Sequence, residues 1–115
     1  MKSVKLRPKV KVFAQAMEMK FILNDHKGGW EETPITFLLQ RLREETDELE
    51  KALLNQQPDE AFSEGVDISN FATMIVDRLG VLTETHLYSN PYLNHPKKEL
   101  YKLYPELKPK ERNKN

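Results

Sequence analysis

Two helical apolar patterns separated by a short turn constrain this chain more than any other feature. In residues 34–54, and again in residues 58–79, apolar side chains recur at steps of three and four, the period of a helix that buries one face. Thr33 and Pro34 suit the N-cap and first position of the first helix, and Gly80 suits the end of the second. Because the turn between them is short, we predict an antiparallel helical hairpin.

The flanking segments predict further helices. Residues 10–24 have apolar side chains at helical spacing and predict a helix with a broad buried face, after an irregular or extended start in which Pro8 cannot join a helix. A short fourth helix is predicted at residues 96–103. The fold class is therefore all-α, with one domain in residues 1–104 and a disordered tail in residues 105–115.

The composition favours a small domain whose core is shared between subunits. Only 38% of the 115 residues are apolar and the mean hydropathy is −0.69, so we expect an oligomer rather than a well-buried monomer. No apolar run approaches the roughly 18 residues of a membrane span, and the basic N-terminus lacks the apolar segment of a secretory signal. The absence of cysteine excludes disulfides, zinc–thiolate sites and thiol nucleophiles. We expect a cytoplasmic protein with no membrane partner.

The net charge of zero is the sum of three unlike segments. Residues 1–30 have seven Lys/Arg and two Asp/Glu, residues 31–80 have four and twelve, and residues 81–115 have seven and four. A nucleic-acid-binding protein normally has a basic excess, so nucleic-acid binding through the basic ends is disfavoured. The pattern instead indicates a cation bound by the acidic middle and an anionic ligand reached by the flanks.

The hairpin has one pair of acidic residues on each helix. Glu45 and Glu48 are three residues apart, as are Glu64 and Asp67, so each pair lies on one helix face. Glu45 is in register with the apolar stripe of its helix, and the second pair borders the apolar face of the other. Four carboxylates this close repel one another unless some are protonated or a cation binds them.

Mg²⁺ is the cation that these four ligands favour, because it is hard and prefers oxygen. With no cysteine and only three dispersed histidines, a softer metal is disfavoured, although Mn²⁺ can substitute. The alternative is that the acids are solvated surface, and for either pair alone this alternative is the better one. Both pairs in order across one turn favour a metal site instead.

The paired acids resemble a family signature. Glu44-Glu45-x-x-Glu48, then fifteen residues, then Glu64-x-x-Asp67, resembles the motif of the MazG-like all-α nucleoside triphosphate pyrophosphohydrolases. Each half alone would be a weak signal, whereas the paired motif is fairly specific. All the signature positions carry the expected acids.

Residues on either side of the motif agree with this resemblance, which covers about residues 10–80. Residues 41–43 precede the first half of the motif and residues 68–72 follow the second. Residues 17–20 and 24–30 are similar to the corresponding segments of small phage-type members. The resemblance implies Mg²⁺-dependent cleavage of a nucleoside or deoxynucleoside triphosphate to the monophosphate and pyrophosphate. It also implies a homodimer or homotetramer, in which oligomerisation completes a four-helix bundle.

Catalysis in such a site requires an activated water. Bound Mg²⁺ bridges phosphate oxygens and lowers the pKa of a coordinated water. Glu45 or Glu48 is the candidate to orient that water or take its proton.

Four further residues are candidate substrate contacts. Arg41 can bind a phosphate or pair with the acids of its own helix, and Lys27, beside two glycines, can reach phosphates or be an ordinary turn lysine. Trp30 can stack on a base or anchor packing. Asn70, one turn past the second acidic pair, can bond a sugar or base or be solvated.

A function of another class stays open at this point. The acidic band can belong to a non-catalytic helical interaction module that binds a basic partner or a stray cation. Site-specific stabilisation by Mg²⁺ distinguishes the two, because surface acids give no such effect.

Overall fold

The computed structural model describes residues 5–83, 101–102 and 105, and the regular structure in these residues is helical throughout. Three α-helices follow one another: α1 spans Pro8–Asn24, α2 spans Ile35–Leu54 and α3 spans Pro58–Asp77. A short 3₁₀ turn, Asp25–Lys27, follows α1. The predicted all-α class is therefore confirmed for the described residues, whereas the four-helix bundle stays a prediction.

The chain divides into two compact units, Met1–Gly80 and Val81–Asn115. The first unit contains α1, α2 and α3. In the second unit, Tyr101 and Lys102 are helical. The rest of the predicted fourth helix, and almost all of the predicted tail, lie outside the described residues, so the boundary after residue 104 stays a prediction.

Prolines mark the helix starts, with two corrections to the prediction. Pro8 is the first residue of α1, so the expectation that it lies in an irregular start is wrong; the first helical position needs no backbone N–H, which proline lacks. Pro58 begins α3 as predicted. Pro34 has a ψ of 136° and is itself the N-cap of α2, so Thr33 is not the cap.

The end of α3 also differs from the prediction. The helix ends at Asp77 with Arg78 as its C-cap, rather than at Gly80. Gly80 has a φ of 74°, a left-handed conformation that favours glycine, and lies in the turn beyond the helix. Asp77 and Arg78 are therefore placed at the helix end, where both bond to the loop before α2.

The antiparallel hairpin of α2 and α3 is confirmed. Arg41 lies over the Phe71 ring, and one turn further along α2 Glu45 meets Asp67, so later residues of α2 meet earlier residues of α3. The connection is only residues 55–57. The buried apolar side chains of the described residues all lie in this hairpin: Leu38, Ala52 and Val66.

α1 packs against α3 but buries none of its residues. Phe13 and Phe62 have ring centroids 5.8 Å apart, and Phe13 also lies over Gly65 of α3. The broad buried face predicted for α1 is not found in the single chain, because apolar residues surround this helix and α3 covers one strip only. Four remain more than half exposed: Val12, Met19, Ile22 and Leu23. No helix among the described residues has both the length and the apolar character needed to cross a membrane.

Candidate metal centre

The hairpin brings three of the four predicted metal ligands together. Glu45 lies in the middle of α2, and Glu64 and Asp67 lie one turn apart on α3. Each offers a carboxylate oxygen, and these oxygens all lie within 4.8 Å of one another. That spacing allows one hard cation to bind all three groups.

Glu45 and one carboxyl oxygen of Glu64 are shielded from water. Glu45 is 8% exposed, as its place on the apolar stripe predicted, and Oε2 of Glu64 is buried with no hydrogen-bond donor. The pKa of Glu64 is raised to about 7, first by a hydrogen bond with the Glu45 carboxyl, then by burial and by the charges of Glu45 and Asp67, while Lys20 opposes the rise. Two carboxyl groups can share a hydrogen bond only if one holds a proton, so the pair needs a proton or a cation.

Lys20 of α1 binds the third carboxylate of the cluster. Its Nζ lies 2.8 Å from Oδ1 of Asp67, 2.7 Å from Oγ of Ser63 and 3.1 Å from the Ser63 carbonyl oxygen. Lys20 was not among the site residues predicted from the sequence, since its partners are 43 and 47 residues away. Its helical spacing from Phe13 and Met17 could have indicated this position, because it places Lys20 on the face of α1 that packs against α3.

Arg41 forms ion pairs with two acids of its own helix, which was the alternative to a phosphate contact in the prediction for this residue. It donates to Oε1 of Glu45 at 2.9 Å and also to Glu44, and its guanidinium lies 5.5 Å from the Phe71 ring centroid. The bond with Glu44 raises the pKa of Arg41 and lowers that of Glu44. Arg41 therefore reduces the negative charge of the cluster from the α2 side.

Glu48 lies outside the group of three. Its side chain is 53% exposed, and its Oε1 lies 3.3 Å from Nζ of Lys51. An exposed pair of this kind contributes at most about 1 kcal/mol and does not fix the side chain. The roles of Glu48 as a metal ligand and as a base stay predictions.

A cavity of about 490 Å³ opens beside the carboxylates. This volume is in the range of small-molecule binding sites. Its lining combines three acids, three cations and aromatic rings, among them these six residues: Glu45, Asp67, Lys20, Lys27, Arg41 and Trp30. All four predicted substrate contacts, Asn70 included, line it, although their role in substrate binding stays a prediction.

Asn70 and Trp30 are both held by contacts within the chain. Asn70 is 5% exposed and donates from Nδ2 to the Met17 carbonyl oxygen at 3.1 Å, so the solvated alternative is wrong; its Oδ1 is buried without a partner. Trp30 donates from Nε1 to Oδ2 of Asp77 at 2.9 Å, and its ring centroid lies 5.2 Å from that of Phe21. Trp30 is thus a packing anchor that also lines the cavity.

The end of α3 fastens the loop that carries Lys27 and Trp30. Arg78 donates to the Trp30 carbonyl oxygen at 3.2 Å and to the carbonyl oxygen of Thr33. A negatively charged residue at a helix C-terminus interacts unfavourably with the helix dipole. The hydrogen bond from Trp30 explains why an acid nevertheless occupies the last position of α3. Neither Asp77 nor Arg78 was a candidate from the sequence, because their partners lie more than 40 residues away.

Fold and site together define an all-α unit with a candidate divalent-cation centre beside a ligand-sized cavity. Comparison of the chain with protein-family models, with curated proteins and with solved structures gives no match. The resemblance to the MazG-like family therefore rests on the acidic motif and its flanking residues, and stays a prediction.

Proposed function

We propose that this protein is a Mg²⁺-dependent, MazG-like pyrophosphohydrolase that cleaves nucleoside triphosphates, deoxynucleoside triphosphates in particular, to the monophosphate and pyrophosphate. The observation that carries the proposal is the convergence of Glu45, Glu64 and Asp67 beside a cavity with cationic and aromatic walls. Carboxylate-held Mg²⁺ together with cationic side chains is a frequent arrangement for binding polyphosphates.

The three clustered carboxylates suit Mg²⁺ in donor type and environment. Their oxygens are hard ligands, and the buried Oε2 of Glu64 has no donor, so a cation would satisfy it. Mn²⁺ suits the same donors. Glu48 is a further ligand or base in this proposal, since its exposed pair with Lys51 can exchange at little cost.

The chemistry divides between the ion and the side chains. When bound, Mg²⁺ would contact phosphate oxygens and make a coordinated water more acidic. Glu45 or Glu48 orients the attacking water and accepts its proton. Lys27 and Arg41 stabilise negative charge on the phosphates, Arg41 from a position already fixed by Glu44 and Glu45.

Asn70 and Trp30 are the proposed nucleoside contacts. The unpartnered Oδ1 of Asn70 can accept a hydrogen bond from a hydroxyl or amino group of the ligand. Trp30 contacts Phe21 and still lines the cavity, so part of its ring is available to a base.

We also propose that the protein functions as a homodimer or homotetramer. The support is the small number of buried apolar side chains in the hairpin and the exposed apolar residues of α1, of which Leu23 is 66% exposed. A second copy that covers such residues would add apolar burial that the single chain lacks.

Product analysis with each common NTP and dNTP, in Mg²⁺, Mn²⁺ or chelator, tests the proposal. We expect monophosphate and pyrophosphate in the presence of metal only, with turnover lowered about a hundredfold or more in Glu45→Gln and Glu48→Gln. Glu60→Gln, which changes an exposed acid of α3, is the matched control and should leave turnover unchanged. Release of orthophosphate, or no turnover of any nucleotide, would refute the proposal and favour the non-catalytic interaction module.

A further inference from the structure

Lys20 reaches the acidic cluster from α1, whereas Arg41, another cation of the cavity, reaches it from α2. Its ammonium contacts Oδ1 of Asp67, a candidate metal ligand, and is also held by both oxygens of Ser63. Its side chain is 28% exposed and lines the cavity. Among the described residues Lys20 is the one lysine bonded to a member of the three-carboxylate cluster.

A divalent cation at Asp67 would compete with this ammonium. The two positive charges would be within a few ångströms of each other, where repulsion is substantial in a partly dehydrated site. Lysine can respond by moving, because its charge is compact and its four-carbon stem is flexible, whereas the guanidinium of Arg41 is fixed between two acids. The adjoining cavity gives the released ammonium a place to go.

We propose that Lys20 is the internal counter-cation of this site, bound to Asp67 in the metal-free protein and transferred to the phosphate chain of the substrate when a divalent cation takes Asp67. The proposal rests on the proposed function for its second step. Its first step, competition between Lys20 and the metal, is independent of any hydrolysis. Lys20 then has a role in both states of the site: without a metal it limits repulsion among the carboxylates, and once the metal is bound it adds a positive contact to the substrate.

The first test is titration of the nucleotide-free protein with Mg²⁺ by isothermal titration calorimetry. Lys20→Met should bind Mg²⁺ roughly three- to tenfold more tightly than the parent chain, because the competing charge is gone. Lys20→Gln is also neutral and can still bond Ser63, so it provides a second variant in case Lys20→Met does not fold. Its Mg²⁺ affinity should rise as well. Lys20→Arg should stay near the parent value, and Lys11→Met, an exposed lysine of the same helix, is the matched control.

The second test is steady-state kinetics of the same variants at saturating Mg²⁺. Loss of a phosphate contact should raise KM about tenfold in Lys20→Met and Lys20→Gln, with a smaller fall in kcat. A lysine that only supports folding would instead leave Mg²⁺ affinity unchanged or lower it.

The outcomes are separable. Unchanged or weaker Mg²⁺ binding in both neutral variants overturns the proposal, and so does tighter Mg²⁺ binding with an unchanged KM. If the parent chain hydrolyses no nucleotide, the proposed function fails. The affinity for inorganic tripolyphosphate in the presence of Mg²⁺ is then measured instead of KM. An unchanged tripolyphosphate affinity in the neutral variants overturns the transfer step.

Discussion

Glu64→Gln is expected to remove most of the pH dependence of stability between pH 5 and pH 8 in the metal-free protein. The folded state retains the Glu64 proton up to about pH 7, whereas the unfolded chain releases it near 4.5. The folded state therefore binds more protons in this window, and the free energy of unfolding falls as the pH rises. Stability from this group is complete below about pH 4.5 and is lost as the pH passes through about 7.

The size of the effect follows from the same carboxyl group. A rise in pKa from 4.5 to about 7 corresponds to about 3.4 kcal/mol if it is fully realised. Solvent reaches part of the Glu64 side chain and screens it, so we expect roughly half of that value. Among the described residues, the other groups with a shifted pKa do not interfere, because the pKa of Glu44 is lowered and that of Arg41 is raised, both away from this window.

Urea unfolding at pH 5 and pH 8 in chelator measures this difference directly. The parent chain should be less stable at pH 8, Glu64→Gln should be nearly equal at the two values, and the exposed-site control Glu60→Gln should follow the parent. Mg²⁺ added at pH 8 should restore stability to the parent more than to Glu64→Gln, since the ion replaces the proton. Equal stability of the parent chain at both pH values, or the same fall in Glu64→Gln, would refute the electrostatic account of the cluster.

Three further substitutions test local packing and backbone geometry. Trp30→Phe removes the indole donor to Asp77 and should lower the free energy of unfolding by about 1 kcal/mol; in a double-mutant cycle with Asp77→Ala, additive losses would show that the bond contributes nothing. Gly65→Ala should raise stability by roughly 0.5–1 kcal/mol, because the new methyl group meets Phe13 at an ordinary 3.5 Å within a helix. Gly80→Ala, at a φ of 74°, should instead destabilise by about 1 kcal/mol. Thermal unfolding of these two glycine variants measures both changes, and stability changes of the same sign would contradict this reasoning.

The hairpin and the core of its acidic cluster could be predicted from local spacing. Helical periodicity places Glu45 on the apolar stripe of α2, and the i, i+3 relation places Glu64 and Asp67 on one face of α3. The short connection then requires the two helices to meet, so three carboxylates converge. Spacing alone placed Glu48 with them, but a residue three positions from a buried one can still lie on the exposed side, as Glu48 does.

Contacts across long stretches of the chain were decided by tertiary structure alone. Lys20 reaches Asp67 because α1 packs against α3, and the bond between Trp30 and Asp77 depends on where α3 ends. The burial of Asn70 depends on the same approach of α1. The physical reason is that periodicity specifies which face of a helix is apolar but not which neighbour covers it. Local sequence patterns thus specify the hairpin helices and their acidic faces, whereas the packing of α1 against α3 sets which charges complete the site.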